Sequence, residues 1–242
     1  MMMEFGIEAF SAWAPGIETE EGWRAWAVDS MPVCADEKPK CKQVPPMIRR
    51  RLTQWGRMAL EVATACSESI DQNTPTIFAS RHGDTRRTAS LLESIAQEEM
   101  LSPTAFSLSV HNSSSGIFSM VRQVFGPALA VASGKDSLAQ AFIEAHGLLS
   151  DGHDRVLLVM VDEPLAEFYL PDTDERDMPY AFALVLNKGG DNTLSVGYEA
   201  AGSKSTDASE LSLGIQFLSF WYAEKTDMTY NGKRLSWRFS RS

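Results

Sequence analysis

The chain has no apolar run approaching the ~18 residues of a membrane-spanning helix, and no basic-then-apolar pattern opens it. Both absences argue against the membrane and against export, and predict a cytoplasmic protein. Positive charge is in short supply. Lys and Arg number 22 against 32 Asp and Glu, a formal net charge of −10. Nucleic acid is disfavoured as a partner, because phosphate binding wants a basic surface. Cysteine is limited to Cys34, Cys41 and Cys66, an odd set without a C-x-x-C pair, as is normal in a reducing compartment. The four histidines are His82, His111, His146 and His153. No second His or Cys stands at ligand spacing near the loop Arg81-His82-Gly83-Asp84, so no metal is expected there, and no cofactor is expected elsewhere.

What is present is an alternation of strand-like and helix-like segments without internal repeats. A chain of 242 residues can bury a substantial core, and nothing divides it. One domain over 1–242 is expected, with 205–242 as a C-terminal helix and tail. Strands are predicted at Glu4–Phe10, Thr76–Ser80, Ala105–Val110, Ala128–Ala132, Arg155–Val161, Ala181–Leu186 and Leu194–Ala200. The run Val156–Val161 is continuously apolar, as in a strand covered on both faces. Helices are predicted near 20–29, 48–70, 85–99, 116–125, 136–149 and 209–224. This order argues for a layered α/β domain with a mostly parallel sheet. Asn187–Asn192 reads as a hairpin loop that makes its two flanking strands antiparallel neighbours. Residues 30–47 read as an irregular excursion and Asp172–Pro179 as a polar loop. In the longest helix, Ile48, Leu52, Trp55, Ala59, Val62, Cys66 and Ile70 form one apolar stripe.

The candidate chemistry centres on Ser107–Gly116. An alternating segment there turns through small residues into a helix beginning near Ile117. That geometry presents a nucleophile at a helix N-terminus, where free N–H groups stabilise an anion. Ser113 holds the nucleophile position. His111 and Asp162 are the conceivable base and orienter, although the sequence is not a G-x-S-x-G elbow and His111 must reach back across its own turn. Cys66, within Val62-Ala-Thr-Ala-Cys66-Ser, lies on the buried stripe of a helix, where a cysteine is an inert small hydrophobe. Lys38, Lys40, Lys42, Arg49, Arg50, Arg51 and Arg57 cluster in an acidic protein, and Lys233, Arg234, Arg238 and Arg241 make the tail basic. Such a cluster reads as a solvated face or as a patch for an acidic carrier protein or partner subunit. Arg81, His82 and Asp84 sit where a strand meets a helix, with Asp84 as the expected N-cap.

Several motifs fall in a telling order: Ser11-Ala-Trp-Ala-Pro-Gly16, Trp23-Arg-Ala-Trp26, Ala79-Ser-Arg-His-Gly83, Phe106–Ser113, Ala132-Ser-Gly-Lys-Asp136 and Val161-Asp-Glu-Pro164. Through them the chain resembles the N-terminal half of β-ketoacyl synthases, and more specifically the ketosynthase-like N-terminal-domain proteins. The resemblance implies a single thiolase-like half: a mostly parallel, five-stranded-type mixed sheet with helices on both faces. It places Ser113 where the acyl-accepting Cys would stand. In that family the two essential histidines come from a C-terminal half, and this chain is expected to end before it. The implied role is a non-catalytic subunit similar to chain-length factors of type II polyketide systems, of the truncated kind found with aryl polyene biosynthesis. It would pair as a heterodimer with a full-length ketosynthase, contact the acyl carrier protein only indirectly, and wall the acyl tunnel. Phe106, Leu108, Val110, His111, Asn112, Ser113 and Phe118 are the implied interface or tunnel residues. The alternatives are a stand-alone Ser-dependent acyltransferase and a homodimer that binds acyl chains.

Overall fold

The computed structural model describes residues 2–29, 33, 37–165, 169, 178–190, 192–201 and 211–242. Cys34 and most of the expected 172–179 loop lie outside the described residues. In chain order the elements are β1 (Met2–Trp13), α1 (Glu20–Ala27), α2 (Pro46–Arg49), α3 (Gln54–Ala65), β2 (Thr76–Ala79), α4 (Thr85–Ala96), α5 (Pro103–Ser107), α6 (Ser113–Arg122), β3 (Ala128–Val131), α7 (Ser137–Ser150), β4 (Arg155–Asp162), β5 (Tyr180–Asn187), β6 (Thr193–Ala200), α8 (Leu213–Tyr222), β7 (Asp227–Asn231) and β8 (Leu235–Arg241).

The strands form one sheet in the order β3-β2-β4-β5-β1-β6-β8-β7. Its centre is β4 and β5, buried along almost their whole length. Side-chain alternation divides them between two cores. Leu157, Val159, Val161, Ala183 and Val185 pack with the Trp55, Ala59 and Val62 stripe of α3 and with Phe118 of α6. Val156, Leu158, Phe182 and Leu184 pack with Phe142 of α7 and Phe217 of α8. Helices therefore cover both faces, and the continuous apolar run of β4 follows from that double burial.

The layered α/β fold is as expected, but the strand number and pairing differ. The sheet has eight strands. Parallel pairing is confined to β3-β2-β4, and every other neighbouring pair is antiparallel. The expected β5–β6 hairpin does not form, because β1 lies between the two strands. The first half of β1 pairs with β6 and its second half with β5, and the chain crosses over β1 between them. It crosses at Gly6, where a Cβ would overlap Asn187 Oδ1 and the carbonyl of Gly189. Only glycine lets backbone approach this closely.

The expected strand at Ala105–Val110 is instead helix α5 followed by a turn. Pro103 occupies the first helical turn, Ser102 caps it by accepting from the Ala105 amide at 3.3 Å, and Ser107 and Ser109 donate to the carbonyls of Pro103 and Phe106 at 2.9 and 2.8 Å. Proline in the first turn and a serine cap start a helix here despite the apolar alternation, and the back-bonding serines leave no side-chain hydroxyl to a ladder. The single 48–70 helix is broken in two. Pro46 starts α2, and Thr53 caps α3 by accepting from the Gly56 amide at 3.3 Å. Arg49, Arg50 and Arg51 thus stand at the C-terminal end of a short helix, where cations suit the dipole.

The expected terminal tail is a hairpin, β7–β8, that extends the sheet. Met228, Tyr230, Leu235, Trp237 and Phe239 alternate onto the core around a Gly232-Lys233 turn. Trp237 Nε1 donates to Asp136 Oδ1 at 3.2 Å, and the Arg241 guanidinium lies 4.6 Å from the centre of the Trp221 ring.

Gly6→Ala is expected to destabilise the protein by at least about 3 kcal/mol, because the crossing backbone has no room to retreat. Thermal unfolding followed by circular dichroism checks this; a melting temperature within a degree or so of wild type would refute it.

Candidate functional site

In open α/β sheets, groups that bind or react gather at the carboxyl ends of parallel strands. Here β2 and β4 end side by side, and a buried polar cluster closes over them. Asp162 is the last residue of β4. Its Oδ1 accepts from the Ser80 hydroxyl at 2.7 Å and the Arg81 amide at 2.9 Å, and its Oδ2 accepts from the Tyr180 hydroxyl at 3.4 Å. Ser80 Oγ in turn accepts from the Gly83 amide at 2.9 Å and from Trp55 Nε1 at 3.3 Å. The loop from β2 into α4 is therefore fixed at both ends of its first turn.

Asp84 is the N-cap of α4, as expected. Its carboxylate accepts from the Arg87 amide at 3.1 Å, from Arg87 Nε at 3.0 Å and from the Thr53 hydroxyl at 2.7 Å. Glu163 follows Asp162, and its side chain is fully buried, with Arg86 Nε 3.6 Å from Oε2. Neither Glu163 oxygen has a hydrogen-bond partner. Burial first, and then the neighbouring Asp84, push its carboxyl up from 4.5 to about 7, against the opposing pull of Arg86.

Ser113 stands at the first position of α6, half-buried, and Asn112 caps the helix without a side-chain hydrogen bond. The helix start expected around this serine is there, four residues earlier than predicted. The suggested triad is not assembled. His111 Nε2 lies 3.1 Å from the Ser80 carbonyl, so it must carry the proton and donate. Its Nδ1 is buried without a hydrogen-bond partner, so it is not bonded to the Ser113 hydroxyl. Asp162 holds Ser80, Arg81 and Tyr180. What the arrangement provides is a helix start beside an imidazole held on the Ser80 carbonyl, without a base in hydrogen-bond contact with the hydroxyl.

The remaining predicted residues separate by burial. Phe118 is 1 % exposed and packs on Phe78, with ring centres 5.9 Å apart, so it is core. Phe106 and Val110 are 61 % and 49 % exposed, Leu108 is half-buried at the end of α5, and Asn112 and His82 face solvent. Cys66 ends α3, and burial pushes its thiol up to about 12; Cys41 is likewise buried and raised to about 12. Neither is a nucleophile in this state. Sequence reading passed over Glu163, Tyr180 and Thr53. The available signal was two consecutive acids closing a wholly apolar strand, a placement that burial makes costly. Among the described residues no group of three or more His, Cys, Asp or Glu side chains is arranged to hold a metal, and no helix is long and apolar enough to cross a membrane.

This layering, with a helix starting at Ser113 beside the ends of two parallel strands, is that of a single thiolase-like half. The family model for the β-ketoacyl synthase N-terminal domain matches residues 23–240, and the chain belongs to that family. Among solved structures it is similar to a chain of the ketosynthase ApeO in complex with its chain length factor ApeC from Xenorhabdus doucetiae. The TM-score is 0.85 at 31 % identity, over 99 % of this chain and 100 % of that one. The ishigamide ketosynthase/chain length factor shares the fold at a TM-score of 0.70 and 12 % identity, over 99 % of both chains. So does AntDE:AntF, a type II polyketide synthase acyl-carrier protein in complex with its ketosynthase bound to the hexaketide. That match has a TM-score of 0.75 and 12 % identity, over 99 % of both chains. No curated protein matches the chain.

An acid whose folded pKa lies above its ordinary value loses fold stability as pH rises from 4.5 to about 7, and nothing further beyond it. Glu163→Gln should therefore be more stable than wild type at pH 8, by on the order of 1–3 kcal/mol, and nearly equal at pH 4. Urea denaturation at the two pH values decides this, and a gap that does not change with pH would show that Glu163 is not the titrating group.

Proposed function

We propose that this chain is a non-catalytic, chain-length-factor-like subunit. It pairs with a full-length β-ketoacyl-acyl carrier protein synthase in type II polyketide assembly of the polyene or fatty-acid type, stabilising that partner and shaping its acyl tunnel. The observation that carries the reading is the open edge of the sheet at β3. This strand, Ala128-Leu-Ala-Val131, pairs with β2 alone and bears no charge, proline or bulge to blunt it. Edge strands left in this state are templates for pairing with another chain. Apolar side chains flank it on α6 and the following turn, with Met120 53 % and Phe125 64 % exposed. Phe106 and Val110 are further exposed apolar side chains, on α5 and the turn after it.

The interface so proposed is displaced from the one the resemblance implied. Ala105–Val110 is the end of helix α5 and the turn after it and offers no backbone ladder, so the pairing strand is β3, while Phe106, Leu108 and Val110 remain tunnel or contact residues. Ser113 occupies the nucleophile position, and His111, committed to Ser80, gives it no base. A serine hydroxyl has essentially no anion at neutral pH, so the position is degenerate for acyl transfer. The similarity to a chain of the ketosynthase and chain-length-factor complex, over the full length of both chains, supports the same reading.

In β3 the backbone groups of Pro127 and Val131 face β2, accepting from the amides of Thr76 and Ser80 at 2.8 and 3.1 Å, so alternation turns the N–H of Ala130 outward. Ala130→Pro removes that donor while leaving the ladder to β2 intact. Co-expressed with a ketosynthase partner, wild type should give a stable one-to-one complex on gel filtration, and Ala130→Pro should weaken it by at least about tenfold without loss of helicity. Ser113→Ala should leave condensation by the complex within about twofold of wild type. A large loss of turnover in an assembled Ser113→Ala complex, or a stable acyl adduct on Ser113 by intact mass, would favour a Ser-dependent acyltransferase instead.

A further inference from the structure

A cleft walled by aromatic rings opens where the second half of β1, the start of α1 and the end of α8 meet, with β8 at its rim. Its volume is about 400 Å³, the size of a small-molecule site. Phe10 of β1 is stacked on Trp221, with ring centres 4.7 Å apart, and stands edge-on to Tyr222 at 5.7 Å. Tyr222 is stacked in turn on Trp23 of α1 at 5.4 Å. Trp23 is buried, whereas Phe10, Trp221 and Tyr222 are only half-buried, so part of each of these three rings stays open.

The rim is charged. Three carboxylates, Glu18, Glu20 and Glu224, line the cleft against two guanidiniums, Arg24 and Arg241. Both guanidiniums are already committed. Arg24 bridges Glu20 and Glu224, at 2.9 Å from each, and so ties α1 to the residues that follow α8. Arg241 Nη1 donates to the Trp221 carbonyl at 2.9 Å, and its guanidinium lies 4.6 Å from the centre of the Trp221 ring. Glu18 spends Oε1 on a neutral donor, Trp13 Nε1, at 3.3 Å. Burial first, and then Glu20, hold the Tyr222 hydroxyl above its ordinary range, so it stays neutral and adds no anion. The balance of the cleft is one negative charge beside open π faces.

We infer that this cleft binds a small organic cation: an ammonium or guanidinium carried on a short apolar or aromatic body. The body fits the open ring surfaces, and the charge fits ring faces backed by the excess carboxylate. The chain displays the same preference with its own side chains, since one guanidinium in the cleft lies against a ring and the other between two carboxylates. An anion would have to draw those guanidiniums away from the partners they hold. The cleft shares no residue with the β3 edge, so the inference stands or falls separately from the pairing proposed above.

Isothermal titration calorimetry on the full chain tests this with three small probes that each carry a benzyl group: benzyltrimethylammonium, benzyl alcohol and phenylacetate. The ammonium is expected to bind saturably, with a dissociation constant of about 1 mM or below and at least about tenfold more tightly than either of the others. Glu18→Gln with Glu224→Gln should weaken it at least about fivefold. Glutamine keeps an acceptor for Trp13, and the ion pair lost with Glu224 is exposed, so the melting temperature should stay within about 3 °C of wild type. Glu98→Gln with Glu99→Gln, just after α4 and outside the cleft, should leave binding within about twofold. No saturable binding of the ammonium, equal or tighter binding of benzyl alcohol or phenylacetate, or equal losses in the two double variants would each overturn the inference.

Discussion

The Asp162 carboxylate is the interaction on which the site end of the molecule depends. It sits at the last position of a buried strand, where an unpartnered acid is costly, and the neighbouring elements meet that cost by converging on it. Ser80 and the Arg81 amide bring the end of β2 to β4, and Tyr180 brings in β5. Fixing Ser80 fixes its carbonyl, to which His111 is anchored, and so sets the approach to α6. A single charge thereby orders the ends of three strands and the entry to the helix that carries Ser113.

The same anchoring explains why Ser113 has no base in hydrogen-bond contact. A base for Ser113 would need an imidazole with its acceptor nitrogen turned to the hydroxyl. In this fold the imidazole is part of the scaffold, holding a turn to a strand end. Glu163, buried beside Asp84 without a hydrogen bond, is a second group whose placement costs stability near neutral pH. Neither arrangement prepares a nucleophile.

Much of the central sheet was legible in the sequence, since the double burial of β4 and β5 writes itself as unbroken apolar runs and the α3 stripe repeats at helical spacing. Asp84 was recognisable as a cap because a short acid stands directly before a helix. Other features were hidden for physical reasons. Alternation at Phe106–Val110 mimicked a strand, but the Pro103 start and the back-bonding serines decide the backbone locally. The terminal hairpin carried its own alternation, Met228, Tyr230 and then Leu235, Trp237, Phe239, beneath the more conspicuous charges of the tail. The insertion of β1 between β5 and β6 is a property of tertiary order, and a loop of turn-forming residues looks the same whether it closes a hairpin or steps over a strand. In the site, partners lie up to 82 residues apart in sequence, as for Ser80 and Asp162, and spacing carries no trace of that.

The step over Gly6 also bears on how the molecule assembles. The first strand of the sheet in chain order ends up in its interior, and among the described residues it joins the two parts of the sheet, β3-β2-β4-β5 and β6-β8-β7. Neither of its neighbours exists until more than 160 residues have followed, so pairing of β1 is a late, high-contact-order event. Until then it is an unpaired strand with an apolar face, open to the wrong partner. The N-terminal dozen residues therefore act as the keystone of the fold, and a peptide of that sequence supplied in trans is a natural competitor for its closure.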